Sequence, residues 1–337
     1  MRKSNMELLR IVAMLLVLVL HATFETMHYP NSTLVRAEPA SWLGIILTEQ
    51  ASICCVDVFV LITGWFGTHF KLQNIFRLLF QVAFISLSVT AGAALLQGQM
   101  PGTPVQIIQS VFGYWFINSY LVMYLLSPVL NRFVEQEDEA GLRRYLLLFF
   151  TLAIPASFAF SDLNRGFSAI SFCGLYLLGR YLRLHLSQQL ASWHRRRFVL
   201  LFACNTIGFG VLYWLYFWLK PLHYPNPTSL MTAYTNPFVI ANAACLILYF
   251  ARLNFSNRLV NWLAAGSLAA YLTHQQVFAR PAYFDLIRHL DATCNTPLFI
   301  LTAAGSILII FIISALLDHI RKQIWELLSN RKTANKG

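Results

Sequence analysis

The chain has 337 residues, of which 57% are hydrophobic and only 12% are charged. Soluble globular proteins carry about 25% charged residues, so the composition excludes an ordinary soluble protein and indicates one with several membrane spans. The net charge of +11 does not indicate nucleic-acid binding, because the basic residues lie in short loops between apolar runs.

The sequence also excludes several kinds of site. Its six cysteines show neither C-x-x-C spacing nor a grouping with histidine, so we expect no metal site. The phosphate-binding loop, the dinucleotide-binding glycine motif, G-x-S-x-G and H-E-x-x-H are all absent from the chain. Neither a nucleotide-hydrolysing pump nor a zinc protease is therefore supported.

Apolar runs recur along the whole chain and predict an all-α fold, a single membrane bundle over residues 1–337 without a soluble domain. An N-terminus in the cytoplasm would place most Lys and Arg residues on the inner side, and an even number of spans then places the C-terminus there too. No internal repeat of the transporter type is visible. The ten predicted transmembrane helices cover residues 8–24, 42–66, 75–96, 111–130, 145–160, 167–184, 198–219, 233–251, 259–278 and 297–317.

The first span carries polar residues at both ends, with Asn5, Glu7 and Arg10 at its start and His21 at its end. It lacks a small-residue cleavage site, so we expect it to be retained. Eleven helical residues return to within about 20° of the starting direction, which places Arg10 and His21 on one face, roughly 16 Å apart along the axis. Glu7 lies one turn before Arg10 and can pair with it. The helix is either an anchor with an incidental histidine or part of a chemical site facing a cavity.

Three ionisable residues of later spans are further candidates. Glu49 lies at a depth comparable with that of His21, where it could orient that imidazole, pair with Arg36 or lie in interfacial water. Asp57 is two turns deeper, and we expect it to partner a polar or basic residue of another span. His274 lies in the outer part of the ninth span and is either a structural group or a second base.

Two arginines form a basic entrance on the predicted inner side, Arg10 and, at the start of the third span, Arg77. Cationic groups at this position suit a donor that carries phosphate. A histidine part-way across the bilayer, such as His21, suits the activation of a hydroxyl that arrives from outside.

Several motifs resemble those of the membrane-bound acyltransferase 3 family, and they occur in the family's order. The start Asn5-x-Glu7-x-x-Arg10, with ten residues between Arg10 and His21, resembles its opening motif. The stretch around Arg77 is less basic than the family's. The other segments that resemble the family are residues 56–66 (VDVFVLITGWF), 115–116 (WF) with 120–128 (YLVMYLLSP), 176–180 (YLLGR) and 267–274 (SLAAYLTH).

The resemblance implies an integral membrane O-acyltransferase of a bacterial cytoplasmic (inner) membrane. It would use acyl-CoA, usually acetyl-CoA, as a co-substrate without a bound cofactor, and modify a hydroxyl of a cell-surface glycan or a lipid-linked sugar. The residue patterns and the resemblance together give the candidate site residues: His21, Glu49 and His274 for catalysis, Asn5, Glu7, Arg10 and Arg77 for the donor, and Asp57, Trp115, Tyr120 and Tyr124 for the acceptor.

Other interpretations stay open at this point. A proton-coupled transporter or flippase of a polysaccharide precursor would use His21, Glu49 and Asp57 as a proton relay. A non-enzymatic membrane component of a polysaccharide export assembly would need none of them. The aromatic residues of the fourth span either line a cavity or serve as packing and interface belt.

Overall fold

The computed structural model describes residues 3–160, 163–220 and 228–334, with side chains as far as Ser329. Every regular element within these ranges is a helix and none is a strand, so the all-α prediction is confirmed. The chain divides into two compact units. Unit 1 comprises Met1–Phe70 and Trp115–Asn257, and unit 2 comprises Lys71–Tyr114 and Arg258–Gly337.

The helices follow one another with short connections. In chain order they are α1 (Asn5–Ala22), α2 (Phe24–Met27), α3 (Ser32–Ala37), α4 (Pro39–Ser52), α5 (Cys55–Phe66), α6 (Leu72–Gln97), α7 (Pro104–Phe112), α8 (Trp115–Gln136), α9 (Glu139–Ala159), α10 (Ala169–Tyr181), α11 (Ser187–Gln189), α12 (Arg196–Leu219), α13 (Thr228–Met231), α14 (Pro237–Ala251), α15 (Arg258–Ala265), α16 (Ser267–His274), α17 (Arg280–Thr293) and α18 (Thr296–Ala334). A π-helical turn, Leu182–Leu186, directly follows α10.

Within the described ranges, six helical segments are long and apolar enough to cross a membrane. They support a multi-pass membrane protein, whereas the count of ten spans and the sidedness of the termini stay predictions. The predicted spans at 111–130, 167–184 and 233–251 coincide with α8, α10 and α14, which do not meet both criteria of length and hydropathy. The six segments are Asn5–Met27, Pro39–Phe66, Leu72–Gln97, Glu139–Ala159, Arg196–Leu219 and Thr296–Ser329.

Four predicted spans are interrupted rather than continuous, among them the fourth, which begins in α7 and continues in α8. The first breaks at Thr23, whose hydroxyl donates to the carbonyl of Leu20 at 2.7 Å and so competes with the helical hydrogen bonds. The second is divided between α4 and α5, and the ninth between α15 and α16. The ninth breaks at Gly266, where a Cβ would lie only 2.7 Å from the Cα of Ala315.

In unit 1, α5 packs against both α1 and α10. Two glycines bring the backbones of α5 and α10 into direct contact. A Cβ on Gly64 would lie 2.1 Å from the carbonyl oxygen of Tyr176, and one on Gly179 would lie 2.5 Å from that of Leu61. Small residues permit this close approach of helices. The crossing brings the C-terminal end of α5 beside the end of α10 and its π-helical turn.

In unit 2, α16 packs against α6 and α18. A buried polar cluster joins Gln276 to Thr90 at 3.0 Å, and Ser110 lies 3.3 Å from Ser86. In the second half of α18, the buried carboxylate of Asp318 accepts hydrogen bonds from Arg321 on the same helix and from Gln81 on α6. These contacts satisfy polar groups in an otherwise apolar interior.

Candidate active site

The start of α1 is held against the end of α14 in unit 1. The backbone amide of Ser4 donates to the carbonyl of Phe255 at 2.9 Å, and the side-chain amide of Asn5 donates to that of Phe250 at 3.1 Å. The carbonyl groups at a helix C-terminus lack partners within their own helix. Asn5 therefore satisfies one of them while it fixes the position of α1.

A cavity of about 550 Å³ lies at this start of α1. It brings together three of the four residues that the sequence predicts for donor binding, namely Asn5, Glu7 and Arg10. The fourth, Arg77, is an exposed residue of α6 in unit 2. The residues that line the cavity are Lys3, Asn5, Met6, Glu7, Arg10, Trp65, Phe66, Arg183 and Ala251.

The predicted pair of Glu7 and Arg10 is present. Arg10 donates from Nη1 to the Glu7 carboxylate, whose side chain is 5% exposed against 27% for Arg10. The guanidinium carbon of Arg10 also lies 5.7 Å from the ring centroid of Phe66, a cation–π contact. The pair thus directs a partly buried guanidinium group along the wall of the cavity.

Sequence reasoning missed six residues of this cavity, among them the polar or aromatic Lys3, Trp65, Phe66 and Arg183. Arg183 donates from Nη1 to the carbonyl oxygen of Trp65 at 2.9 Å. The one sequence signal for Arg183 is its spacing of three from Arg180, which places both on one helical face. Both arginines fall in the sixth predicted span, residues 167–184, and neither was predicted to line a site.

His21 lies in the last turn of α1, on the same continuous helix as Arg10. Its side chain is half-buried, and its backbone carbonyl accepts a hydrogen bond from the hydroxyl of Thr26 at 2.6 Å. Met14 and Val17, which lie between Arg10 and His21 on the predicted face, are both buried. Arg10 and His21 are eleven helical residues apart, which corresponds to roughly 16 Å along the helix axis.

Glu49 of α4 is 2% exposed and lies beside the residues that follow His21. Its carboxyl group is hydrogen-bonded to the hydroxyl of Thr23 and to the backbone amide of Phe24. The two structural alternatives for this residue are wrong, because Glu49 is buried and Arg36 instead donates to two backbone carbonyl groups. Its predicted effect on the imidazole of His21 stays a prediction.

Asp57 lies in the first turn of α5 and is completely buried. The predicted polar or basic partner is not found, because no hydrogen-bond donor in the described part of the chain reaches either carboxylate oxygen. A buried carboxylate without such a bond is costly, so Asp57 is suited to hold a proton or accept a hydroxyl of a ligand.

The aromatic residues predicted to contact the acceptor form one packed row in unit 1, in which Phe116 joins Trp115 to Tyr120. Trp115 stacks on Tyr234 with ring centroids 5.7 Å apart. Tyr120 stacks on Tyr124 at 6.4 Å, and the hydroxyl of Tyr124 donates to the carbonyl of His69 at 3.1 Å. These contacts show the packing role, while contact with a substrate stays a prediction.

His274 belongs to unit 2, in the last turn of α16, and is 2% exposed. Its Nδ1 lies 2.5 Å from the carbonyl oxygen of Ala270, so this nitrogen carries the proton and Nε2 is the one that can accept another. The rings of Tyr271 and Tyr283 pack edge-on against the imidazole. These contacts fit either a structural group or a base.

Nearly the whole chain matches one protein family. The model of the acyltransferase 3 family, which is described as an acyltransferase domain, matches residues 3–317. This range includes the cavity at the start of α1 and every predicted site residue. Comparisons with curated proteins and with solved structures return no match. Within the described ranges, no group of three or more His, Cys, Asp or Glu side chains is arranged so that it could hold a metal ion.

Proposed function

The chain belongs to the acyltransferase 3 family, and on that premise we propose that it transfers an acetyl group from acetyl-CoA to a hydroxyl of a glycan. The donor is cytoplasmic, and the acceptor is a cell-surface polysaccharide or its lipid-linked precursor. The protein then resides in the inner membrane of a bacterium, with both termini in the cytoplasm.

One observation carries the proposal: a single helix, α1, has the cation-lined cavity at its start and His21 in its last turn. A phosphate-bearing donor suits the cationic end. The acyl group lies at the end of coenzyme A's long pantetheine arm. A donor lying along α1 would therefore present its thioester near His21, roughly 16 Å from Arg10.

The chemistry requires a base near the thioester. The imidazole of His21 removes the proton of the acceptor hydroxyl while that oxygen attacks the thioester carbonyl carbon. The carbon–sulfur bond breaks as the ester forms, and the coenzyme A thiolate takes the proton back from the imidazolium. A transient acyl group on His21, transferred to the hydroxyl in a second step, is the alternative route.

The other predicted residues support this step in distinct ways. Glu49 holds the turn that follows His21 through Thr23 and Phe24, and so positions the imidazole. Asp57 accepts a hydrogen bond from an acceptor hydroxyl, since no protein donor in the described ranges satisfies it. The rings of Trp115, Tyr120 and Tyr124 flank the sugar, and His274 is the second candidate base.

Release of free coenzyme A from acetyl-CoA by the purified protein, with cell-envelope glycan as acceptor, tests the proposal. We expect release by the wild type and a loss of at least a hundredfold in His21→Ala, since general bases contribute about 10²–10⁴-fold. His194→Ala is the matched control, because His194 is exposed and far from α1 in sequence. Equal release by wild type and His21→Ala would keep the enzyme but move the base to His274.

A second candidate function is a proton-coupled transporter of a polysaccharide precursor. The observation that favours it is Asp57, since a buried carboxylate without a hydrogen-bond partner in the described ranges is suited to carry a proton. This candidate predicts movement of an intact glycan driven by a proton gradient, without consumption of a thioester. Coenzyme A release that depends on His21 would exclude it.

A further inference from the structure

The π-helical turn at Leu182–Leu186 carries Arg183 into the wall of the cavity at the start of α1. Single π-helical turns within helices frequently occur at functional sites. Nη1 of Arg183 donates to the carbonyl of Trp65 at 2.9 Å, a neutral partner that leaves most of the guanidinium's donors available. Arg183 is itself exposed, so a solute that enters the cavity can reach it.

Two arginines share one aromatic ring in this cavity. The guanidinium carbons of Arg10 and Arg183 each lie 5.7 Å from the ring centroid of Phe66, so they are no further apart than twice that distance. Cation–π contacts with Phe66 offset part of the repulsion between the two like charges. An anion placed between them would offset the remainder.

The charges around the cavity are unequal. Lys3, Arg10 and Arg183 are cationic, while Glu7 is the one carboxylate among the lining residues. Glu7 is paired with Arg10. Within the described ranges no carboxylate forms an ion pair with Arg183 or Lys3. The cavity wall therefore carries two positive charges that no carboxylate of the wall balances, and these are the charges of Arg183 and Lys3.

We propose that Arg183, with Lys3, binds the pyrophosphate of a nucleotide-linked donor and sets the preference for such a donor over a bare pantetheine thioester. Arg10, already held by Glu7, lies beside this pyrophosphate site. A guanidinium group forms paired hydrogen bonds with phosphate oxygens, which an ammonium group cannot reproduce. This inference rests on the proposed function, since it assigns a subsite of the same donor cavity.

The test is binding of coenzyme A to the full-length protein in detergent by isothermal titration calorimetry, without acceptor. Arg183→Gln is expected to weaken this binding about tenfold or more, because the loss of a hydrogen bond between charged groups lowers affinity by about that factor. Arg183→Lys is expected to recover part of the loss. Arg195→Gln is the control, because Arg195 is exposed and does not line the cavity.

Steady-state kinetics with two donors separates phosphate recognition from a structural role. Arg183→Gln should raise KM for acetyl-CoA about tenfold, leave kcat nearly unchanged, and leave KM for acetyl-pantetheine, which lacks the phosphates, at the wild-type value. Equal increases with both donors would overturn the inference, as would unchanged coenzyme A binding in Arg183→Gln. If the wild type binds no coenzyme A, the proposed donor fails as well, so the two failures are distinguishable.

Discussion

At the scale of single residues, the Glu7–Arg10 pair shapes the cavity because it holds a partly buried guanidinium group in one position. Breaking such a pair leaves one charge without its partner, while replacing both members removes the problem. We therefore expect Glu7→Gln to lower the free energy of unfolding by about 1–2 kcal/mol, and the double variant Glu7→Gln/Arg10→Gln to lose less than the sum of the single variants. Thermal unfolding in detergent measures both. Additive losses would show that the pair contributes no coupling.

Asp57 and Glu49 are both buried carboxylates of the segment Pro39–Phe66, but their surroundings differ. Glu49 is hydrogen-bonded to Thr23 and Phe24, so Glu49→Gln should lower the free energy of unfolding by about 1–2 kcal/mol. Asp57 has no protein donor within the described ranges, so Asp57→Asn should leave the stability unchanged or higher.

The same two variants report on the proposed role of Asp57. Asp57→Asn should raise KM for the glycan acceptor without lowering the melting temperature. A melting temperature that falls more in Asp57→Asn than in Glu49→Gln would show that Asp57 has a structural partner instead.

At the scale of helices, the crossing of α5 and α10 determines where Phe66 and Arg183 lie. A Cβ at Gly64 would meet the backbone of Tyr176 at 2.1 Å, so the two helices must separate to accept one. Gly64→Ala should destabilise the protein by about 1–3 kcal/mol and weaken coenzyme A binding through the displaced cavity wall.

Gly208 is the matched control for this substitution. It lies inside α12, and a Cβ added to it would meet no atom within 4 Å other than those of its own helix backbone. Gly208→Ala should therefore be neutral or stabilising by up to about 1 kcal/mol. Equal destabilisation by Gly64→Ala and Gly208→Ala would show that the helix crossing is more open than these distances indicate.

Sequence reasoning succeeded where the contacts are local. The helical period predicted that Arg10 and His21 share one helix, and the spacing of three predicted the Glu7–Arg10 pair. Both follow from the geometry of one turn or one helix. The convergence of Phe66 and Arg183 depends instead on a backbone contact between residues more than a hundred positions apart, which no local period encodes.

The same limit explains why the breaks within the predicted spans were not foreseen. The break at Gly266 arises from the close approach of Ala315, which lies on another helix. Apolar composition alone predicted one uninterrupted span there. That Asp57 lacks a hydrogen-bond donor in the described ranges could not be predicted either, because whether a buried carboxylate has a protein donor depends on which helices surround it.

At the scale of the whole molecule, membership of the acyltransferase 3 family establishes the class of reaction, and α1 suggests its direction. In the proposed function, the cavity at the start of α1 holds the donor and His21 in the last turn of that helix acts on the acceptor, so the two substrates approach from opposite sides of the membrane. The central claim is therefore transfer of an acyl group from one side to the other.

Proteoliposomes test this claim most directly, with acetyl-labelled acetyl-CoA trapped inside and glycan acceptor supplied only outside. The proposed function predicts label on the external glycan with the wild-type protein and with His194→Ala, and none with His21→Ala. Label on the external glycan with folded His21→Ala at the wild-type level would contradict the role of His21. The acceptor used is one that the protein modifies in detergent. If the trapped acetyl-CoA is consumed but the external glycan carries no label, transfer across the membrane is contradicted.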